Sequence, residues 1–151
     1  QGDDGRGFDP VEILLVDDDV DLVMSMKVYL SSRGFDVATA HNGKEAYKRI
    51  IDRRPDLIVL DVMMDYDEEG MVFASALKTD DPTRGIPIIM LSGFNVEKET
   101  RAKVLASLFG QQFPADSFMQ KPVRLAELLA RIQTLLSGDE TGRAALRAEK
   151  P

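Results

Sequence analysis

Three apolar runs of strand length, ILLV ending at Val16, LIVL ending at Leu60 and IIML ending at Leu91, constrain the fold of this chain more than any other feature. A strand that alternates apolar and polar residues buries one face. One that is apolar throughout must be covered on both, as in a parallel sheet with helices above and below. The full set of predicted strands is 11–16, 35–40, 56–60, 86–91 and 116–120. The second, FDVATA, alternates and so suits a sheet edge. Between the strands the apolar spacing changes to the helical period. Val20, Val23, Met26 and Leu30 mark a first helix that Gly34 stops, and Asn42 with Glu45 begins a second, which buries Ala46 and Ile50. Val72, Phe73, Ala76 and Leu77 mark a third helix, and Val104, Leu105 and Leu108 a fourth. Leu125, Leu128, Leu129, Ile132 and Leu136 mark a fifth. Right-handed crossovers wind such a (βα)5 chain into an α/β fold with a doubly wound, five-stranded parallel sheet.

A length of 151 residues with 44% hydrophobic content suits one domain with a single core. Residues 1–10 read as an N-terminal tail, 11–136 as the folded domain and 137–151 as a C-terminal tail or linker stub. The formal net charge of -7 argues against direct nucleic acid binding and against an acidic membrane surface, since both repel a net anion. No apolar run nears the roughly 20 residues of a membrane span, and no basic-then-apolar leader opens the sequence. Without cysteine, neither disulfides nor thiolate metal ligands can form. These features predict a cytoplasmic protein.

Open α/β sheets take ligands in the crevice beyond the carboxyl ends of their strands. Four predicted strand ends place polar residues there: Asp17 and Asp18 after the first, Asp61 after the third, Ser92 after the fourth and Lys121 after the fifth. Carboxylates gathered in one crevice repel one another unless a proton or a cation intervenes. Oxygen ligands without His or Cys favour a hard ion, and Mg²⁺ suits a site that offers few protein ligands and leaves room for water and phosphoryl oxygen. A carboxylate in that setting can attack phosphorus and form an aspartyl phosphate, with Lys121 neutralising a phosphoryl oxygen and Ser92 donating a hydrogen bond to it. Other polar and apolar residues nearby have ordinary roles open to them. Asp19 can be a helix N-cap, Asp21 a solvated first-turn residue, Phe118 plain core packing, His41 a surface loop residue and the Met63-Met64 pair gap filling.

The motifs LLVDDD, AHNGKEA, PDLIVLDVMM, IPIIMLS and FMQKPV, in that order, closely resemble the receiver domain of two-component response regulators, the CheY-like superfamily, over about residues 11–136. The resemblance implies a flavodoxin-like sheet of strand order 2-1-3-4-5. It implies Asp61 as the phosphoacceptor, and Asp17, Asp18, Asp61 and the backbone carbonyl of Met63 as ligands of Mg²⁺. Lys121 and Ser92 become phosphoryl-binding groups, and Ser92 with Phe118 forms the conformational switch. The implied activity is acceptance of a phosphoryl group from a sensor histidine kinase or histidine phosphotransfer protein. Such a domain is a signalling element and not an enzyme, catalysing only its own phosphorylation and dephosphorylation. A downstream effector protein or output domain is the other implied partner, with homodimerisation through the face of the fourth helix, fifth strand and fifth helix.

Some features depart from the family pattern. Asp65 stands where proline is common, the acidic loop DYDEEG runs one residue longer before Gly70, and the stretch from Ser92 to Lys121 is longer by about one or two helical turns. Met63 and Phe94, both apolar and bulky, flank the path of a hydrolytic water and predict slow autodephosphorylation. The acidic loop is the feature that would suit a receiver-like interaction module that no longer turns over phosphate. A small haloacid-dehalogenase-type phosphatase shares the Asp-x-Asp spacing of Asp17 and Asp19. That family expects Gly and Thr or Val after the second Asp and an acidic pair late in the chain, whereas here Val20 and Asp21 follow, and the next acid beyond Lys121 is Glu127.

Overall fold

The computed structural model describes residues 10–61, 69–93 and 115–137. Five strands, β1 (Glu12–Val16), β2 (Asp36–Ala40), β3 (Leu57–Asp61), β4 (Ile88–Ser92) and β5 (Ser117–Gln120), form one parallel sheet in the order β2-β1-β3-β4-β5. Helices α1 (Val20–Ser32), α2 (Gly43–Asp52) and α3 (Glu69–Thr79) follow the first three strands. The helix expected around Leu105 lies outside the described residues, so the last described helix, Leu125–Leu136, is α4 here.

The continuous apolar runs divide residue by residue between two cores. Ile13 and Leu15 of β1, Leu57 and Val59 of β3, and Ile89 and Leu91 of β4 face Val23, Met26 and Leu30 of α1 together with Leu128 and Ile132 of α4. Their neighbours Leu14, Val16, Ile58, Leu60, Ile88 and Met90 face Ala46 and Ile50 of α2 with Ala74 and Leu77 of α3. Each large side chain so buried contributes roughly 1.5–3 kcal/mol from removal of apolar surface from water. That term, repeated on both faces, fixes the sheet between its two helical layers.

Local signals set where the elements begin and stop. Asp19 caps α1, its Oδ1 accepting from Leu22 N at 3.1 Å, and Gly34 takes up a positive φ of 96° just past the helix, a conformation that costs little without a Cβ. Asn42 Oδ1 accepts from Glu45 N at 2.9 Å at the start of α2. Glu45 then reaches back to His41 N at 2.8 Å, one residue before the cap, instead of to the cap's own N–H. The hydrogen bond donated by His41 N holds the Glu45 carboxyl below its ordinary pKa.

The structure corrects several expectations. Val20 opens α1 but is 60% exposed, so the buried stripe begins at Val23. In α3, Ala74 and not Ala76 turns inward beside Leu77, because 74 and 77 share the helical spacing that faces β3. The backbone at 69–70, read from sequence as the end of the acidic loop, forms the first turn of α3, where acidic residues favour the helix dipole. The fourth strand starts at Ile88, since Ile86 closes a turn onto Thr83 O and Pro87 has no N–H to give the ladder.

Both outer strands are met by an arginine from the helix that follows them. Arg49 Nε on α2 donates to Thr39 O of β2 at 3.1 Å, and Arg131 Nη1 on α4 donates to Phe118 O of β5 at 2.9 Å. The short β5 is also fastened at its start. Asp116 Oδ2 accepts from Ile88 N at 2.8 Å and from Lys78 Nζ at 3.0 Å, and Lys78 also donates to Ile86 O at 2.8 Å.

Candidate functional site

Strand order reverses beside β1, which has β2 on one flank and β3 on the other, and the crevice at the carboxyl ends there is where this architecture receives ligands. Asp17 follows β1 directly, with its N–H still bonded to Ala40 O of β2 at 3.1 Å, so its side chain is set by the sheet. It is fully buried. Its Oδ1 accepts from Asp19 N at 2.9 Å, while its buried Oδ2 accepts no aligned hydrogen bond among the described residues and lies 3.0 Å from Lys121 Nζ as an ion-pair contact.

Asp61 is the last residue of β3, only 2% exposed, with its Oδ2 3.5 Å from the same Lys121 Nζ. Carboxylate oxygens of Asp17, Asp18 and Asp61 all lie within 4.8 Å of one another, Asp18 being the exposed member. Ser92 closes β4 one residue beyond Leu91, the partner of Asp61 in the sheet, and is fully buried. Lys121 N donates to Ser92 O at 2.7 Å, which starts the loop after β5 against the end of β4, and the Lys121-Pro122 peptide is cis.

Opposed charges meet in this crevice. Burial draws the Lys121 ammonium toward its neutral form, but its contacts with Asp17 and the charge of Asp61 outweigh that and hold its pKa above the ordinary lysine value. Among the described residues, the Lys121 ammonium contacts Asp17 and Asp61, two of the three clustered carboxylates. A buried carboxylate oxygen without an aligned donor, within reach of two further carboxylates, fits a hard cation with oxygen ligands.

The structure thus brings together Asp17, Asp18, Asp61, Ser92 and Lys121 at four adjoining strand ends. Phe118 lies on β5 three residues before Lys121, half-buried against the core beneath α2 and α3. Met63, Phe94 and the acidic residues Asp65, Asp67 and Glu68 lie outside the described residues.

Residues 13–133 match the model of the response regulator receiver domain. The chain belongs to the response regulator receiver family. This receiver is 37% identical over 130 residues to the transcriptional regulatory protein PrrA of Mycobacterium tuberculosis, covering 86% of the chain and 52% of the relative. It is 36% identical to the phosphate regulon transcriptional regulatory protein PhoB of Pseudomonas aeruginosa, with 82% of the chain and 51% of the relative covered. The chain therefore spans about half the length of the curated relatives it matches. Among solved structures, the signal receiver domain of a histidine kinase from Syntrophus aciditrophicus superposes with a TM-score of 0.73 at 29% identity, covering 87% of this chain and 93% of that one. A CheY-like receiver domain protein from Methanospirillum hungatei gives a TM-score of 0.72 at 27% identity, covering 87% and 98%. The receiver is thus a domain of two-component response regulators, with the doubly wound sheet and order 2-1-3-4-5 that the motifs implied.

Among the described residues no helix is long and apolar enough to cross a membrane. Sequence reasoning passed over Lys78, Asp116 and Arg131, which fasten β5. Their acceptors include backbone carbonyls of distant residues, and a carbonyl leaves no mark in the identity of the residue that carries it.

Proposed function

We propose that the receiver accepts a phosphoryl group on Asp61 from a phosphohistidine of a sensor histidine kinase or histidine phosphotransfer protein. The observation that carries this reading is the meeting of Asp17, Asp18 and Asp61 with Lys121. A carboxylate oxygen of Asp61 forms the new P–O bond while the P–N bond of the donor breaks, and the released imidazole keeps the electron pair and takes a proton. Asp17, Asp18, Asp61 and the backbone carbonyl of Met63 would hold Mg²⁺, which would supply neutralising charge to the carboxylates and the phosphoryl oxygens. Lys121 pairs with a phosphoryl oxygen, and the Ser92 hydroxyl donates to another.

The response to phosphorylation is a population shift. Ser92 moves toward the phosphoryl group, Phe118 turns into the space released, and the state that makes those contacts is favoured. The donor is a protein, and α1 offers it a surface. Val20, Met24 and Val28 form an exposed apolar stripe at helical spacing that begins three residues after Asp17. Output passes to an effector protein or a further domain, and the setting is the cytoplasm, where a kinase's phosphohistidine would meet the receiver.

The test is intact mass after incubation with acetyl phosphate, with and without Mg²⁺, for the native chain and Asp61→Asn. One Mg²⁺-dependent phosphoryl adduct, absent from the variant, is the expected result. An adduct that persists in Asp61→Asn would place the acceptor elsewhere, and no adduct from either acetyl phosphate or a phosphohistidine donor would mean a module that does not turn over phosphate.

A further inference from the structure

Along β5 and α4 runs an open groove of about 340 Å³, lined among others by Asp116, Ser117, Ala130, Thr134 and Leu135. Arg131 spans it. Its Nη1 donates to Ser117 Oγ at 2.8 Å and to Phe118 O at 2.9 Å, and its Nη2 donates to Glu127 Oε2 at 2.9 Å, one turn earlier on the same helix. The guanidinium is planar and presents its donors in a fixed fork, so holding Glu127 with one nitrogen fixes the direction of the other. Deeper in, Leu128 and Ile132 of α4 pack with Met119 in an apolar contact, which constrains distance but not register. The polar tie to two consecutive residues of β5 does constrain register.

We infer that Arg131 is a positioning residue that couples the state of the phosphorylation crevice to α4, by clamping the backbone of Phe118 and the hydroxyl of Ser117 to the helix. The inference rests on the reading of Asp61 as the phosphoacceptor. The strand it grips continues through Gln120 to Lys121, whose ammonium lies 3.0 Å from Asp17 and 3.5 Å from Asp61. When Lys121 follows a phosphoryl oxygen and Phe118 turns, a strand free at its outer edge could absorb the movement alone. Clamped by Arg131, the Phe118 peptide carries the displacement to α4 instead.

The test uses backbone amide chemical shifts of the full chain, with Mg²⁺ and beryllofluoride as a phosphoryl mimic, in the native protein, Arg131→Ala and Arg131→Lys. In the native chain, shifts are expected both around Asp61, Ser92 and Lys121 and along α4 at Leu128, Ile132 and Leu135. In Arg131→Ala the shifts at the crevice should remain, while those along α4 fall to about half or less, the scale expected when a coupling residue is removed. Arg131→Lys, which keeps the charge but loses the fork, should behave like the alanine variant. Full-sized α4 shifts in Arg131→Ala would overturn the inference. So would loss of the crevice shifts as well, since Arg131 would then hold the site itself. A native chain without any shift at the crevice would instead refute the phosphoacceptor reading on which the inference rests.

Discussion

Replacing Lys121 with glutamine isolates the electrostatics of the crevice. In the native structure its Nζ lies 3.0 Å from Asp17 Oδ2 and 3.5 Å from Asp61 Oδ2, and those two aspartates are almost wholly buried. At an effective dielectric constant near 20, each contact is worth about 5 kcal/mol before desolvation is counted. Desolvation of the ammonium cancels much of that, and removing one partner of a buried pair typically costs about 3–5 kcal/mol because the remaining charge is left uncompensated. With 22% of the Lys121 side chain exposed, the lower end applies, so Lys121→Gln should cost about 3 kcal/mol in a chelating buffer. For a domain of this size that is a drop of about 10 °C in Tm.

Mg²⁺ should narrow that gap. The ammonium and a divalent ion compete for the same oxygens, so the variant should bind Mg²⁺ more tightly, and a concentration 100 times its Kd would return about 2.7 kcal/mol. The pH dependence has a definite sign. Since the folded-state pKa of Lys121 is raised, its stabilisation is complete below the ordinary lysine pKa and fades only as pH rises through the folded value. The gap between native chain and variant should therefore be constant from neutrality to about pH 9 and close above the ordinary lysine value of about 10.4. Thermal melts in chelator, then across a Mg²⁺ titration, measure all three quantities. A Tm within about 2 °C of native in chelator, with unchanged Mg²⁺ affinity, would refute the claim that Lys121 compensates the carboxylates.

Two further outcomes follow from contacts away from the crevice. Asp116→Ala removes a carboxylate that accepts from both Ile88 N and Lys78 Nζ, and should cost about 2 kcal/mol in denaturant unfolding; no loss would show that β5 is held by its ladder and apolar contacts alone. At Glu12, burial raises the pKa, with Arg53 opposing and Asp36 and Asp56 adding to it. The folded state therefore favours the protonated acid, whose stabilisation is present below the unfolded glutamate pKa and lost as pH rises through the folded one. Glu12→Gln should be at least as stable as the native chain at pH 7 and lose that advantage near pH 4, and an advantage that grew on acidification would contradict the sign.

The sheet was readable from the sequence because its signal is composition itself. A run such as LIVL has no solvated position, and only a strand with helices on both sides gives all its residues a dry environment. The strand-end residues Asp17, Asp61, Ser92 and Lys121 were readable as a group, since topology places the carboxyl ends of neighbouring parallel strands side by side. Exposure within a helix was less legible. Val20 and Ala76 have the right character for a core, yet what turns them outward is the angle at which each helix meets the sheet, a tertiary quantity. The reach of Glu45 to His41 N, one residue beyond the cap, likewise depends on how the chain enters α2.

The arginines on the two outer strands bear on how copies of this receiver can meet. A parallel sheet leaves one line of N–H and C=O groups open at each margin, and such a margin can recruit another strand and extend into an aggregate. Here an incoming strand at β2 would have to displace Arg49 from Thr39 O, and one at β5 would have to displace Arg131 from Phe118 O. Each guanidinium is charged and costly to bury unpaired, so it repels an approaching backbone as well as occupying the acceptor it seeks. Self-association is thereby steered away from continuous backbone pairing and toward helix surfaces, where contacts between side chains can form and dissolve as a reversible signal requires.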